Sequence, residues 1–239
     1  MTASADTGRD FPSVVFDLFG TLVDAPTEIE RCRAARAVAG AAGICDDVVL
    51  QVLSNSWLER HDGRLPTTRA LCDFLWRSCG AAGTVPLELR DVLMGFAAER
   101  LVASEEVLGV LRDLRRQGVR VGVLSDASAD IAEAWPHSAL SEVVDTAVFS
   151  CRAGAVKPAV GLYEDVVGRL GVAPEDALFC GDGGGDELRG AERAGLTSVR
   201  VERRGGPTAL AFGEQPWPGP CITGVERLPS FVFASRAPR

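Results

Sequence analysis

Lysine is almost missing from this chain, because Lys157 is the one lysine among 25 lysine and arginine residues. Positive charge is in deficit overall, since the 239 residues carry a net charge of −8. Such a chain would repel a phosphate backbone, so we expect no nucleic-acid partner. Long apolar runs are also missing, and neither a membrane span nor a secretory signal is predicted from the sequence. We therefore expect a cytoplasmic protein with no membrane partner.

The chain also lacks the patterns of a zinc site or of a disulfide framework. Its seven cysteines include no Cys-x-x-Cys pair, and neither of its two histidines lies at ligand spacing from a cysteine pair. The cysteine number is odd and no secretory signal is evident, so we expect free thiols in a reducing compartment. Hydrophobic residues make up 46% of the chain, which is enough for a packed core.

What is present is a change of pattern along the chain. Residues 13–17 form an apolar run that ends in an acid, as a buried strand does. Helices are predicted next, at 27–41, 46–59, 66–80 and 86–100. Strands then alternate with helices, and the predicted strands are 119–125, 144–149, 176–182 and 197–202. Beyond residue 205 the chain is rich in Pro and Gly, and at most one short strand is expected there.

Alternating strands and helices predict an α/β fold with a doubly wound, Rossmann-like parallel sheet. The helical stretch after the first strand is too long for a loop, so it predicts an inserted α-helical domain. The predicted core domain comprises residues 12–24 and 104–239, and the predicted helical domain comprises residues 25–103. Ligands of such sheets bind at the carboxyl ends of the strands.

Reactive side chains are concentrated in the loops expected at that edge. Asp17 follows the first strand, Ser125 and Asp126 follow the second, and Lys157 precedes a helix. The segment Gly-Asp-Gly-Gly-Gly-Asp, residues 181–186, follows a further strand. A carboxylate can act as a covalent nucleophile, a buried ammonium can offset its charge, and paired carboxylates suit Mg²⁺. This grouping predicts an active site rather than core packing.

Four motifs in order resemble those of the haloacid dehalogenase (HAD) superfamily, and the resemblance covers residues 12 to about 202. They are FDLFGTLVD, VLSDAS, VKP and GDGGGD. Their spacing resembles the branch with a helical cap inserted after the first motif. The resemblance implies that Asp17 and Lys157 are catalytic and that Thr21, Ser125 and Asp126 contact the substrate. It also implies a Mg²⁺ site made by Asp17, the main-chain carbonyl of Phe19, Asp182 and Asp186.

Phe19 departs from the pattern, because phosphatases of this superfamily usually carry an acid there that protonates the leaving group. Losing general acid catalysis costs roughly 10²–10⁴-fold in rate. The favoured interpretation is still a Mg²⁺-dependent phosphatase that forms an aspartyl-phosphate on Asp17. One alternative is a dehalogenase-like hydrolase with an aspartyl-ester intermediate and no metal, since a halide leaves without a proton. A second alternative is a non-catalytic binding protein.

The intact acid pair favours the phosphatase among these interpretations, and the other two stay open. Dehalogenases of the superfamily carry Ser and Asn in the fourth motif, whereas carboxylates without a cation would repel one another. The expected partner is therefore a small phosphorylated molecule, and the expected cofactor is Mg²⁺. His61 and Arg64, in a predicted loop of the helical domain, are further candidates for substrate contacts, and His61 is a candidate replacement for the missing acid.

Overall fold

A six-stranded parallel sheet forms the centre of the molecule, and its strand order is β3-β2-β1-β4-β5-β6. The computed structural model describes residues 10–206, 209–213 and 215–233. The strands are β1 (Ser13–Phe16), β2 (Arg120–Ser125), β3 (Thr146–Phe149), β4 (Ala177–Gly181), β5 (Thr197–Val201) and β6 (Cys221–Ile222). From β1 the chain proceeds to β2 and β3 on one side of the sheet and then to β4, β5 and β6 on the other side. The switch point lies between β1 and β4, which is where doubly wound sheets open a ligand crevice. The predicted α/β fold class is confirmed.

Helices connect the strands and surround the sheet. In chain order they are α1 (Glu28–Ala42), α2 (Asp46–Asn55), α3 (Trp57–His61), α4 (Thr68–Ser78), α5 (Leu87–Arg100), α6 (Glu105–Arg116), α7 (Ala129–Ala134), α8 (Ala139–Val143), α9 (Ser150–Ala153), α10 (Val160–Leu170), α11 (Glu187–Arg193) and α12 (Pro229–Val232). Among the residues that the structure describes, no single helix is long and apolar enough to cross a membrane, although α1 and α2, bent by 120°, pass that test together by length and composition.

Both faces of the sheet are buried, which explains why its strands are continuous apolar runs. Val14 and Phe16 of β1 belong to one apolar cluster, whereas Val15 between them belongs to a second cluster on the other face. All residues of β1 and β4 are buried. Strands covered on both faces read as Val-, Leu- and Phe-rich segments without polar alternation. The two central strands therefore hold their carboxyl ends on a rigid base.

The helical insert, residues 25–103, lies between β1 and α6 in the chain and has an apolar cluster of its own. That cluster includes Val38, Leu71, Leu75, Leu89 and Leu93. Helix α1 begins at a capping box, in which Thr27 and Glu30 satisfy each other's backbone N–H groups. The division into a core and a helical domain at residues 24 and 104 remains a prediction.

Two contacts fix the helical insert against the sheet-containing part. The backbone N–H of Thr68, at the start of α4, donates to the Glu133 carboxylate of α7 over 2.8 Å. Gly63, with φ of 92°, lies so close to Gly154 that an added Cβ would be 2.5 Å from the Gly154 Cα. These contacts hold the insert over the carboxyl ends of the strands.

The described residues between Gly206 and β6 cross the same edge of the molecule before the chain enters the sheet again. The backbone N–H of Leu210 donates to the Pro26 carbonyl over 3.0 Å, and that of Gly185 donates to the Phe212 carbonyl over 2.7 Å. The one short strand expected in this region is β6, which pairs in parallel with β5.

Candidate active site

Asp17 lies immediately after β1, where the sheet aims it into the crevice. Its backbone N–H donates to the Cys180 carbonyl of β4 over 2.9 Å, which continues the pairing of the two strands. The Thr21 hydroxyl donates to Asp17 Oδ2 over 3.0 Å, and Lys157 Nζ lies 2.5 Å from Asp17 Oδ1. Both carboxylate oxygens are thus held by donors. Thr21, predicted as a substrate contact, orients the Asp17 carboxylate in this structure.

Lys157 is buried between two acids, and its position agrees with the predicted role of offsetting the charge of Asp17. Its Nζ lies 2.5 Å from Asp17 Oδ1 and 2.5 Å from Glu187 Oε2. Burial alone would favour the neutral amine, but the carboxylates of Asp17 and Glu187 outweigh it and raise the pKa of Lys157 well above its ordinary value. The side chain is therefore a permanent cation at the site.

Three buried carboxylates converge at the crevice and could hold a metal ion. The oxygens of Asp17, Asp182 and Glu187 lie within 4.8 Å of one another. Asp182 Oδ1 accepts from the Gly184 N–H over 2.9 Å, and Asp182 Oδ2 lies 2.5 Å from Arg203 Nε. Burial and the neighbouring Asp17 carboxylate raise the pKa of Glu187 to about 8. A bound cation would relieve this repulsion, so the residues fit a hard divalent ion.

Asp186 is not part of this cluster, which corrects one predicted metal ligand. Its backbone has φ of 56°, and its carboxylate points toward Arg193, with Oδ2 3.3 Å from the Arg193 guanidinium. The turn through Gly183 and Gly185, both at positive φ, rotates the chain so that Glu187 faces the site. The spacing of the fourth motif predicts Asp186 as a ligand. A second acid, Glu187, follows it directly in the sequence, and that is the signal that could have identified the residue facing the site.

The second predicted motif supplies one free hydroxyl and one acid. The Ser125 hydroxyl is buried, and it has no hydrogen-bond partner among the residues that the structure describes. Asp126 Oδ1 accepts from the Lys157 N–H over 3.0 Å, and the side chain lines the cavity above Asp17. Burial raises the pKa of Asp126 to about 6. An unpartnered buried donor fits a ligand oxygen, which supports the predicted substrate contact of Ser125.

Phe19 places an aromatic ring where the missing acid was expected. The ring is partly buried against the core, and the Arg100 guanidinium lies over it, 4.9 Å from its centroid. No proton can come from this side chain. The proposed use of the Phe19 carbonyl as a metal ligand stays a prediction.

The two predicted contacts from the helical insert have different outcomes. His61 is buried and lines the cavity, but burial and the nearby Arg60 lower its pKa to about 3. A ring that is neutral over the ordinary pH range is a weak proton donor, and His61 as a replacement for the missing acid stays a prediction. Arg64 is half-exposed and pairs with Asp62 at 2.5 Å, and it does not line the cavity. Its predicted substrate contact is therefore wrong, because a local ion pair holds it at the surface.

A cavity of about 460 Å³ lies between the helical insert and the strand ends. Its floor includes Asp17, Asp126, Lys157 and Glu187. The insert contributes apolar side chains and a group of arginines, and Phe212 closes one side. The volume is in the range of small-molecule sites, roughly 300–1,000 Å³.

The known proteins that this chain resembles include phosphatases and a dehalogenase. A family model described as haloacid dehalogenase-like hydrolase matches residues 12–195. The chain is 29% identical over 212 residues to (S)-2-haloacid dehalogenase 4A of Burkholderia cepacia, covering 83% of this chain and 86% of the relative. It is 30% identical over 125 residues to phosphoserine phosphatase of Thermus thermophilus, covering 51% of this chain and 50% of that relative, about half its length. The solved HAD phosphatase of Thermococcus onnurineus superposes with a TM-score of 0.66 at 18% identity, covering 94% of this chain and 99% of that one.

The fold and the strand-end carboxylates define a hydrolase of the α/β class. The match to the family model covers most of the chain, and the chain belongs to the haloacid dehalogenase-like hydrolases. The resemblance inferred from the four motifs is confirmed. The relatives include both phosphatases and 2-haloacid dehalogenases.

Proposed function

We propose that this protein is a Mg²⁺-dependent phosphatase that acts on a small phosphorylated molecule through an aspartyl-phosphate on Asp17. The observation that carries the proposal is the convergence of Asp17, Asp182 and Glu187, all buried and within 4.8 Å of one another. Three carboxylates packed this closely carry more negative charge than Lys157 and Arg203 together balance, and burial beside Asp17 raises the pKa of Glu187 to about 8. A divalent cation that also binds phosphoryl oxygens supplies that charge in a phosphatase.

The donor set of the cluster fits Mg²⁺ rather than a softer metal. All three side chains offer carboxylate oxygens, and no cysteine or histidine belongs to the cluster. Asp17, Asp182 and Glu187 would hold the ion, with Arg203 steadying Asp182 from the other side. When bound, Mg²⁺ would polarise the phosphoryl group as a Lewis acid.

The side chains of this chain then have distinct tasks. An Asp17 carboxylate oxygen attacks phosphorus, a bond to Asp17 forms, and the leaving oxygen departs with its electron pair. Thr21 fixes the Asp17 carboxylate, and Lys157 offsets the negative charge that gathers at the site. Ser125 can donate its unpartnered hydroxyl to a phosphoryl oxygen. Water then attacks phosphorus and returns Asp17 as a free carboxylate.

A 2-haloacid dehalogenase is the second candidate, and Phe19 is the observation that favours it. A halide ion departs without a proton, so an aromatic ring in place of an acid would cost such a reaction nothing. The relative matched over 83% of this chain is a haloacid dehalogenase. In this reaction Asp17 attacks carbon, forms an ester and expels halide, and no metal is required.

One assay separates the two candidates. Purified protein is tested for phosphate release from a panel of phosphorylated sugars, polyols and nucleotides, and for halide release from 2-haloacids, each with Mg²⁺ and with EDTA. We expect phosphate release that requires Mg²⁺ and no halide release. Halide release that survives EDTA would overturn the proposal and establish the second candidate. Silence on both panels, with Mg²⁺ binding intact, would favour the non-catalytic alternative.

A further inference from the structure

The insert side of the cavity carries a surplus of positive charge, because four arginines line it together with two glutamates, Glu30 and Glu99, of which Glu99 pairs with Arg33. Arg31 of α1, Arg60 of α3 and Arg100 of α5 all line it, facing Asp17 and Lys157 on the floor. This concentration contrasts with the whole chain, whose net charge is −8. A cationic pocket wall in an acidic protein points to an anionic ligand rather than to general surface charge.

Two of these arginines are held in place by contacts that do not neutralise them. Arg60 donates from Nη2 to the Leu53 carbonyl over 2.8 Å and from Nε to the Ser56 hydroxyl over 3.2 Å. Arg100 lies over the Phe19 ring at 4.9 Å. Within the described part of the chain, neither guanidinium forms a salt bridge with a carboxylate. Both are therefore positioned but left with free N–H donors.

The charges around Arg60 and Arg100 favour the binding of an anionic ligand. Burial lowers the pKa of Arg60 to about 10, whereas the Arg100 side chain stays accessible to solvent at the cavity wall. Arg100 and Arg31 lower the pKa of Arg60 further, while Asp130, whose Oδ1 accepts from the Ser128 hydroxyl, offsets this in part. Like charges kept together in a partly enclosed cavity are costly, and an incoming anion removes that cost.

We propose that the substrate carries a second anionic group, a carboxylate or a second phosphate, which binds Arg60 and Arg100 while the reacting phosphoryl group lies at Asp17. This inference rests on the proposed phosphatase function and narrows its substrate class. Phe19 has a role in it, because its ring supports the Arg100 guanidinium beside the nucleophile loop. The cavity of about 460 Å³ leaves room for a linker between the two anionic groups.

The test measures binding to Asp17→Asn protein, so that the ligand is not consumed. Calorimetry with Mg²⁺ present compares two matched pairs: 3-phosphoglycerate with glycerol 3-phosphate, and fructose 1,6-bisphosphate with fructose 6-phosphate. The first pair adds a carboxylate and the second adds a phosphate. We expect at least one doubly anionic ligand to bind roughly ten-fold more tightly than its partner, which corresponds to about 1.4 kcal/mol.

Arg100→Gln in the same background should abolish that preference, and Arg60→Gln should reduce it. The matched control is Arg36→Gln on α1, because Arg36 is exposed, pairs with Asp46 at 3.7 Å and lies outside the cavity. Circular dichroism and thermal unfolding check that each variant is folded. Equal binding within both pairs, or a preference that survives both cavity substitutions, would overturn the inference.

The outcomes also separate this inference from the proposed function. Phosphate release by the wild-type protein, with no preference for a second anion, would overturn the second-anion site and leave the phosphatase standing. A preference that depends on Arg100, with no phosphate release from any substrate, would support the anion site and count against the phosphatase.

Discussion

The strand-end cluster and the arginines of the helical insert face each other across one cavity, and they are built in opposite ways. In the cluster, Lys157 contacts both Asp17 and Glu187 directly, at 2.5 Å each. In the insert, Arg60 and Arg100 are held by neutral partners and form no salt bridge among the described residues, so Asp130 nearby compensates their charge only in part. The cluster is thus organised for a fixed reaction, whereas the insert is organised for a ligand that arrives from outside.

The same difference sets where substitutions should act. Changes in the cluster should alter the chemical step and the metal, because its members share charges and hydrogen bonds. Changes in the insert should alter which ligand binds and leave the reaction intact. The predictions below test that division.

The largest effect is expected from Asp17→Asn, which removes the proposed nucleophile. We expect turnover to fall by roughly 10⁴-fold or more, as for nucleophiles of other covalent hydrolases. Asp47→Asn, an exposed acid of α2, is the control and should retain wild-type turnover. Residual turnover within ten-fold of wild type would show that Asp17 is not the nucleophile.

The next largest effect is expected at the proposed metal site, where substitutions of two adjacent acids, Glu187 and Asp186, are compared. Glu187→Gln should weaken Mg²⁺ binding by about 10-fold or more, since even residues behind a metal ligand are worth 10–100-fold. Asp186→Asn should leave Mg²⁺ affinity nearly unchanged, because its carboxylate faces Arg193. Calorimetric titration with Mg²⁺ measures both. The reverse order would restore Asp186 as the ligand and contradict the geometry of the loop.

The pH dependence of stability gives a smaller effect at Asp126. Burial raises its pKa from 3.8 to about 6, so the folded protein binds a proton more tightly than the unfolded chain. The stabilisation of the folded state by the proton on Asp126 is complete below about pH 4 and is lost as the pH rises through about 6. Asp126→Asn should therefore gain on the order of 1–2 kcal/mol relative to wild type between pH 4 and pH 7.

Urea unfolding in EDTA at several pH values measures this difference. Asp165→Asn, at a surface ion pair with Arg169, provides the control. A difference between Asp126→Asn and wild type that does not change with pH would show that Asp126 titrates normally.

The smallest effect is expected at Arg64, which belongs to the insert but not to the cavity. Its guanidinium pairs with Asp62 and is half-exposed. Surface ion pairs contribute about 0–1 kcal/mol, so Arg64→Gln should change neither turnover nor ligand affinity by more than about two-fold. Steady-state kinetics on the best substrate checks this. A large rise in KM would return Arg64 to the binding site.

The sequence predicted the strand-end half of the site better than the insert half, and the reason is geometric. Parallel strands bring their carboxyl ends to one edge, so Asp17, Asp126 and Lys157 could be grouped from the chain order alone. The sequence predicts Asp186 rather than Glu187 as a metal ligand, because residue spacing does not reveal the left-handed backbone at residue 186.

The insert offered no comparable rule. Which arginine faces a cavity depends on how each helix is rotated and packed, and that is decided by contacts far apart in the chain. Arg100 closes over Phe19 from the end of α5, more than seventy residues away in sequence. Arg64 stood out in the sequence because it lies beside His61 in a loop, yet its neighbour Asp62 holds it away.

The most direct test of the central claim follows oxygen through a single turnover in heavy-oxygen water with enzyme in excess. In an aspartyl-phosphate mechanism, water attacks phosphorus, so the released phosphate should carry the label and the peptide containing Asp17 should not. Mass spectrometry of both products reads this out. Label in the Asp17 carboxylate would show that water attacks an ester carbonyl carbon, as in dehalogenation, and would contradict the account.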